Sequence, residues 1–424
     1  MAQPSVAAAF PPAMKALIVD PAVHSVGGHH YNAMDRLRRE LSELGIASTC
    51  LGSTSVRQEL VDSLHCTPCF TTSIYGTDYS LPDEVSRIVE ETSRQLAQAL
   101  RREKTWPDLL VLPCCDQVLA SAVARILRRP RLSPMPHVVM WLLYGPSQLQ
   151  TKGSPAVAAS VADCRDVFST LKAAVGDHRL TALCETTAMA DFYRALLPFE
   201  VSVVPGPGLA TMPRIDRKAS ADHAPTIVSV GFANRSKGYR LLPEAVRAIL
   251  RQHPSARFMV HGIVEGSDAE DERSVFDSLA MLGERVAARQ DVLTPDEYLA
   301  WLGQADLVLL PYDPQVYRSR GSGVFIDVRN IGIPIVATEG CAFAQPAFDG
   351  GWGVGFRDHT SESLAGAILE ALDRRDHLSA RALAAARDVK DELGSLLRAT
   401  VEAARRERSS GLTARLRRLL PTGL

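Results

Sequence analysis

The most constraining feature of the chain is a regular alternation between short apolar runs and longer segments with helical periodicity. In the first half the apolar runs lie at 16–20, 108–114, 137–143, 179–185 and 201–208, and helical patterns separate them. The runs are continuously apolar and do not alternate with polar residues, which is typical of parallel strands buried on both faces. The pattern predicts an α/β fold with helices on both sides of a parallel sheet.

The alternation stops over residues 209–225, a polar stretch without periodicity, and restarts at residue 226. A chain of 424 residues is too long for a single core. We therefore predict two doubly wound Rossmann-like domains that face a central cleft. The predicted boundaries are a disordered leader at 1–13, an acceptor-binding domain at 14–208, a linker at 209–225, a nucleotide-sugar-binding domain at 226–400 and a basic helix or tail at 401–424.

Charge and composition exclude several classes of protein. The formal net charge is -1, so no nucleic-acid partner is expected. No run of 18 apolar residues is present and the leader has no basic segment, so we predict a cytoplasmic protein. Cys66 and Cys69 form a lone C-x-x-C without a second pair at metal spacing, and we expect a loop with two thiols there.

Ligands of doubly wound sheets bind beside the carboxyl ends of the strands, so the loops after the apolar runs are the candidate sites. Gly27 and Gly28 follow the first run and directly precede a predicted helix, whose N-terminus could face an anion or a substrate. The alternative is a plain tight turn. His29 and His30 add polar groups at the cleft edge, and we interpret them as substrate contacts because neither has metal spacing to another ligand.

A second candidate loop follows the run at 226–232. Lys237 stands at the head of a predicted helix, with Arg235 two residues earlier. Two cations at that position could neutralise a diphosphate without metal. The alternative is a solvated loop with ordinary charges.

The third candidate loop follows the run at 306–312. Arg318 and Arg320 precede a Gly-Ser-Gly turn at 321–323, where a helix is predicted to begin, so amides, helix dipole and guanidinium groups would converge on one anion. Asp327 lies one turn into that helix, where a carboxylate can accept hydrogen bonds from sugar hydroxyls. The alternative is a surface helix start with scattered charge.

Motifs that the sequence lacks exclude several classes of enzyme. The sequence has no P-loop, no G-x-G-x-x-G after the first run, no G-x-S-x-G and no Asp-x-Asp pair. We therefore expect a site without cofactor and without metal.

Together these segments resemble the retaining GT-B glycosyltransferases of family 4. The resemblance is clearest over about 226–375, in "VSVGFANRSKGYRLLPEAVRAILRQHPSARFMVHG", "LTPDEYLAWLGQADLVLLPYDP" and "GVFIDVRNIGIPIVATEG". In the amino half, "VSVVPGPG", the order of elements and the glycine pair are similar to the family. The resemblance to this family implies that Lys237 binds the donor diphosphate and that Asp327 holds the nucleotide ribose. The turn amides offered to the phosphate or sugar would be those of Gly321, Ser322 and Gly323.

The sequence departs from the family pattern at several positions. The ribose acid is Asp instead of Glu, and the first Glu of the family's E-x7-E pair is replaced by Ser319, or by Arg320 if the glycines set the register. Phe232 stands where the family usually has Arg, so Arg235, Arg318 or Arg320 would substitute. The amino-domain His of the family has no clear match in "MWLLYGPS".

The resemblance implies a retaining, metal-independent glycosyltransferase that moves a sugar from a nucleotide-diphosphate sugar to the hydroxyl of an unidentified acceptor. The missing Glu and His leave two alternatives: a catalytically silent GT-B subunit that binds a sugar nucleotide or a partner enzyme, and an epimerase of the same fold. In the tail, Leu412, Leu416, Leu419 and Leu420 share one helical face with arginines around it. This predicts either peripheral contact with the inner face of a membrane or packing on the amino domain.

Overall fold

The computed structural model describes residues 14–25, 28–72, 81–102, 106–128, 135–143, 155–206, 223–264 and 269–419. The predicted leader, Gly27 and all but the last three residues of the predicted linker lie outside these ranges. Side chains are described for the same residues except 28, 155–162 and 410–419.

The amino-terminal sheet has seven strands, and every pairing within it is parallel. Their order across the sheet is β3-β2-β1-β4-β5-β6-β7. The strands are β1 (Lys15–Val19), β2 (Ala47–Ser53), β3 (Cys66–Phe70), β4 (Leu109–Leu112), β5 (His137–Leu142), β6 (Leu180–Cys184) and β7 (Val201–Val203). The helices between them are α1 (Gly28–Glu43), α2 (Gln58–Leu64), α3 (Pro82–Arg102), α4 (Gln117–Leu127), α5 (Pro155–Val175) and α6 (Thr187–Leu196).

The carboxyl-terminal sheet has six parallel strands in the order β12-β10-β8-β13-β14-β15, and a two-stranded ribbon β11-β9 lies beside it. The strands are β8 (Thr226–Ser229), β9 (Phe232–Ala233), β10 (Arg257–His261), β11 (Ile263–Val264), β12 (Val286–Arg289), β13 (Leu307–Leu310), β14 (Ile335–Thr338) and β15 (Gly353–Phe356). The helices are α7 (Leu242–Gln252), α8 (Ala269–Ala280), α9 (Pro295–Gln304), α10 (Gly323–Ile331), α11 (Gln345–Asp349), α12 (Ser361–Asp373), α13 (Arg375–Arg387) and α14 (Glu392–Leu419).

Each sheet is covered on both faces. Along β1, Leu17 and Val19 belong to one buried cluster, whereas Ala16 and Ile18 belong to another on the opposite face. The carboxyl-terminal sheet divides its side chains in the same way between two clusters. Because successive side chains of a strand point to opposite faces, both faces must be buried. The predicted fold class, two doubly wound parallel sheets, is confirmed.

The C-x-x-C segment is a strand, and the prediction of a loop there was wrong. Cys66 pairs with Cys50 in the parallel register of β3 on β2, at the edge of the sheet. Pro68 in the middle of the strand hid the pattern, and proline is tolerated there because an edge strand has unpaired positions. Burial raises the pKa of the Cys66 thiol to about 12, which makes a redox role for this pair unfavourable.

The last helix, α14, packs on the amino-terminal domain. Leu393, Leu397, Val401 and Ala404 recur at helical spacing and are buried in one cluster with side chains of β1 and α1. Arg408 reinforces the contact, with Nη1 3.2 Å from the Asp108 carboxylate. The chain thus returns to its first domain, while the four tail leucines lie outside the described side chains. None of the described helices is both long enough and apolar enough to cross a bilayer.

Candidate functional site

The cleft lies where the loops at the carboxyl ends of both sheets meet. Thr186, directly after β6, donates a hydrogen bond through Oγ1 to the backbone carbonyl of Ser319, 2.5 Å away. The neighbouring Glu185 accepts a hydrogen bond from the backbone N–H of Gly321. The loop after β6 in the first domain therefore touches the Gly-Ser-Gly turn of the second domain.

On the amino-terminal side, Asp20 directly follows β1 and is fully buried. Its Oδ1 accepts a hydrogen bond from the Ala22 amide at 3.0 Å, and its Oδ2 lies 2.7 Å from Nδ1 of His30. Burial acts to raise the pKa of Asp20, but the imidazole and the amide outweigh it and hold the pKa below its usual value. Asp20 therefore fixes the orientation of His30 at the start of α1.

His29 faces the second domain. Its pKa falls to about 3, because the ring is buried and because His30, Arg320 and Lys237 add positive charge around it. His29 is therefore neutral at physiological pH and can share a proton in hydrogen bonds with a substrate. Sequence spacing alone could not place it near Lys237, more than 200 positions away.

The structure also brings Cys114, from the end of β4, next to the two histidines. One nitrogen of each imidazole and the Cys114 sulfur lie within 4.8 Å of one another. These are ligand types that a soft metal ion prefers. Burial and the Asp20 carboxylate raise the pKa of the Cys114 thiol well above its usual value, so the thiol is protonated when no metal ion is bound. The helix N-terminus and the nearby cations also favour an anion in this part of the cleft.

On the carboxyl-terminal side, a short 3-10 turn over Arg235–Lys237 presents Lys237. The Asn234 side chain accepts a hydrogen bond from the Ser236 amide at 3.1 Å and starts the turn. Gly238 ends it with φ +71°, and a Cβ atom built there would lie 1.8 Å from the carbonyl oxygen of Pro311. Only glycine fits this position, so the turn is tied directly to the loop after β13.

The ammonium group of Lys237 lies over aromatic rings. Its Nζ is 3.7 Å from the ring centre of Tyr312 and 5.0 Å from that of Tyr317. Burial alone would lower the pKa of Lys237, but the two phenol groups outweigh it and raise the pKa, so the side chain stays charged. By contrast, the predicted contact Arg235 is exposed.

The Gly-Ser-Gly turn forms the start of α10. Ser322 is buried and caps the helix, because its Oγ accepts a hydrogen bond from the Phe325 amide at 3.3 Å. Gly323 is the first helical residue and is exposed, so the amides of this turn can face the cleft. Arg320 is half-buried towards His29, whereas Arg318 is exposed.

Asp327 lies one turn into α10, as predicted, but it is 3 % exposed. The hydroxyl of Tyr298 donates a hydrogen bond to its Oδ2 at 2.9 Å. The Asp327 carboxylate thus has a hydrogen-bond partner in its own domain. Its predicted contact with a ribose stays a prediction.

Glu185 is the residue of the cleft that sequence reasoning missed. It was counted only as the last residue of an apolar run, although Asp20 occupies the same position after β1. Burial raises the pKa of Glu185 to about 7, while the Gly321 amide and Lys237 act in the opposite direction. An acid at the carboxyl end of a buried parallel strand was the available signal.

Comparison with known proteins supports this description. Residues 224–374 match the family described as Glycosyl transferases group 1. No curated protein sequence matches the chain at a significant level. The sucrose-phosphate synthase from Thermosynechococcus elongatus is 14% identical, with 94% of this chain and 100% of that chain covered and a TM-score of 0.66.

Two further structures are similar over nearly the full length. Anabaena HepE in complex with UDP is 14% identical, with 94% and 100% of the two chains covered and a TM-score of 0.60. A glycosyltransferase from Rickettsia africae is 10% identical, with 93% and 99% covered and a TM-score of 0.63. At such low identity the likeness establishes the fold, which is GT-B.

Two doubly wound domains with a cleft between their carboxyl edges define a protein of the GT-B class. Residues 224–374 of the carboxyl-terminal domain match the glycosyl transferases group 1 family, and the chain as a whole shares the GT-B fold of the similar structures.

Proposed function

We propose that the protein transfers a sugar from a nucleotide-diphosphate sugar to an acceptor hydroxyl. The observation that carries this proposal is the meeting of Lys237 and the turn at 321–323 in the cleft between the two domains. A half-buried, charged ammonium group beside the helix-start amides of Ser322 and Gly323 is a site for an anion. The family of the carboxyl-terminal domain and the UDP in the similar Anabaena protein support a nucleotide diphosphate as that anion.

In this reaction the bond between the anomeric carbon and the diphosphate oxygen breaks, and its electron pair stays on the diphosphate. Lys237 and the turn amides stabilise the negative charge that develops there more strongly than they stabilise the bound donor. The acceptor oxygen forms the new bond to the anomeric carbon, and its proton passes to the departing diphosphate oxygen. Contact between the domains excludes water, which would otherwise hydrolyse the donor.

The donor nucleotide and the acceptor occupy opposite sides of the cleft in this proposal. Asp327 accepts hydrogen bonds from the ribose, and Arg235, Arg318 and Arg320 contribute positive charge to the diphosphate side. The start of α1, with Gly28 and the two histidines, contacts the acceptor or the donor sugar. The neutral state of His29 suits a hydrogen-bonding partner for hydroxyl groups.

We also propose that transfer is metal-independent and retains the anomeric configuration. Lys237 is charged and lies beside the proposed diphosphate site, so it can take the role of a divalent cation. Activity measured after EDTA treatment should be unchanged, and Mn²⁺ or Mg²⁺ should not increase it. Proton NMR of the first product gives its anomeric configuration.

Incubation with labelled UDP-glucose, UDP-N-acetylglucosamine, ADP-glucose and GDP-mannose without acceptor tests the main proposal. Slow release of sugar from one donor is the expected result. Binding of a donor without release would favour the alternative, a catalytically silent subunit, which the replacement of the family's first Glu by Ser319 or Arg320 supports. Inversion at a sugar carbon would instead identify an epimerase.

Contact of the basic tail with an anionic membrane surface is a further part of the proposal, and it would place a cytoplasmic enzyme beside a lipid-linked acceptor. The motivation is the arginine-rich sequence of 402–424. The full-length protein should sediment with phosphatidylserine vesicles at low salt, and a chain that ends at Ser409 should not. Equal sedimentation of both chains would contradict the membrane contact.

A further inference from the structure

We propose that Glu185, from the amino-terminal domain, binds the donor sugar by accepting hydrogen bonds from its hydroxyl groups. The inference deepens the proposed function and rests on it. It concerns a residue outside the segment that matches the family, since that match begins at residue 224.

The Glu185 carboxylate lies between two glycines from different domains. A Cβ atom built on Gly206 would lie 1.9 Å from Oε1 of Glu185, and one built on Gly321 would lie 1.9 Å from Oε2. Any side chain at either glycine would displace the acid. The two backbones therefore form a slot that admits this carboxylate at the boundary between the domains.

Glu185 lies next to the proposed diphosphate site. The Gly321 amide donates a hydrogen bond to it, and Lys237 is close enough to act on its charge. Both groups belong to the anion site proposed above. Because the donor sugar is bonded directly to the terminal phosphate, its ring must lie next to these groups, within reach of Glu185.

The other acids in this part of the cleft have partners within the protein. Asp20 is engaged by His30 and the Ala22 amide, and Asp327 holds the Tyr298 hydroxyl. The loop between β13 and α10 carries one acid, Asp313, whose carboxylate accepts a hydrogen bond from the Gln315 amide at 2.8 Å, and Glu339 after β14 pairs with Arg357. A carboxylate accepts several hydrogen bonds, which suits a ring with adjacent hydroxyl groups. Of these acids, Glu185 is the one that lies against the Gly321 backbone and beside Lys237.

A different role would give an opposite result. If Glu185 only occupied the anion site in the empty protein, it would compete with the diphosphate, and its removal would strengthen binding of every nucleotide. A sugar contact instead affects the sugar nucleotide and leaves the free nucleotide unchanged. Measuring affinity for UDP and for UDP-glucose, and for the matching pairs of the other donors, therefore separates the two roles.

The test uses Glu185→Gln, which keeps the shape and removes the charge, at about pH 8.5, where Glu185 is ionised because its pKa is about 7. Glu200→Gln is the control, since the Glu200 side chain is 95% exposed. For the donor that the wild-type protein prefers, Glu185→Gln should weaken binding about tenfold to a hundredfold, the range for hydrogen bonds to a charged group. Affinity for the free nucleotide should change less than twofold. A double variant, Glu185→Gln with Ser319→Glu, adds an acid to the loop whose Ser319 carbonyl contacts Thr186, next to Glu185, and should recover part of the loss.

Three results would overturn the inference: unchanged affinity for the sugar nucleotide, equal losses for nucleotide and sugar nucleotide, or tighter binding of both. Each can occur in a protein that binds a donor, so the proposed function would survive. Wild-type protein that binds and hydrolyses none of the four donors would instead refute the proposed function, and the inference with it.

Discussion

Replacement of Lys237 by methionine tests the central charge of the site. Methionine has a similar length and keeps the apolar contact with Tyr312, but it removes the ammonium group that lies 3.7 Å from the ring centre. The loss of one charged hydrogen bond to a diphosphate costs about 1.5–3 kcal/mol, so the dissociation constant for the nucleotide should rise about 10- to 150-fold.

The same change should affect stability much less. Loss of the cation–π contact should lower the stability by about 0.5–2 kcal/mol. Removal of the charge offsets part of this loss, because taking a charge out of water is itself unfavourable. We expect a melting temperature within a few degrees of wild type, which shows that the variant is folded. A binding loss in a folded protein then reports on the ligand contact.

Isothermal titration calorimetry with UDP, ADP and GDP measures the effect. Arg247→Met is the matched control, because Arg247 belongs to the same domain and pairs with Glu244 on the surface of α7. The control should bind like the wild type. A folded Lys237→Met variant whose affinity is within twofold of wild type for every nucleotide would show that the ammonium group does not hold the diphosphate.

Four further changes test other parts of the structure. Asp327→Asn should weaken nucleotide binding about tenfold in calorimetry if the carboxylate accepts ribose hydrogen bonds. Gly238→Ala should destabilise the protein in urea by well over 1 kcal/mol, since the added Cβ would meet the Pro311 carbonyl at 1.8 Å and the residue has φ +71°. Leu397→Ala should cost about 2–5 kcal/mol, because this fully buried side chain joins α14 to the amino-terminal core. The stability of Glu185→Gln should increase relative to that of the wild type as pH rises from 5 to 8. The folded wild-type protein keeps the Glu185 proton to about pH 7, whereas the unfolded chain has already lost it. The free energy of unfolding of the wild type therefore falls over that range.

Each of these has its own control or contrary result. If Asp327→Asn binds nucleotides as tightly as the wild type, the Asp327 carboxylate is only a structural partner of Tyr298. Gly283→Ala shares a positive φ but meets no atom within 4 Å, so equal costs at the two glycines would refute the steric argument. Met281→Ala, at a side chain that is 79% exposed, should be nearly neutral beside Leu397→Ala. A stability difference for the Glu185 variant that does not change with pH would contradict its raised pKa.

The sequence by itself determined the architecture, because strand and helix patterns are local. Continuous apolar runs such as 109–112 and 307–310 are typical of strands buried on both faces, and the helical segments between them favour parallel connections. The local strand pattern also predicts that Lys237 and the 321–323 turn lie at the carboxyl ends of strands, where ligands of such sheets bind. The prediction of strands from the sequence failed where the local pattern is weak, as in β3 with its central proline and in the glycine-containing β15.

Only the tertiary structure decided which loops meet. The contact between Glu185 and Gly321, the charge of Arg320 on His29 and the place of Cys114 beside the two histidines all depend on how the sheets are ordered and how the domains dock. These residues are separated by tens to hundreds of positions, and no periodicity links them. The environment of Asp327 also depends on tertiary contacts, because it is Tyr298 from another helix that holds its carboxylate. Burial and charge at a cleft arise from groups on separate elements, so a residue's chemistry there follows from the packing of the whole chain.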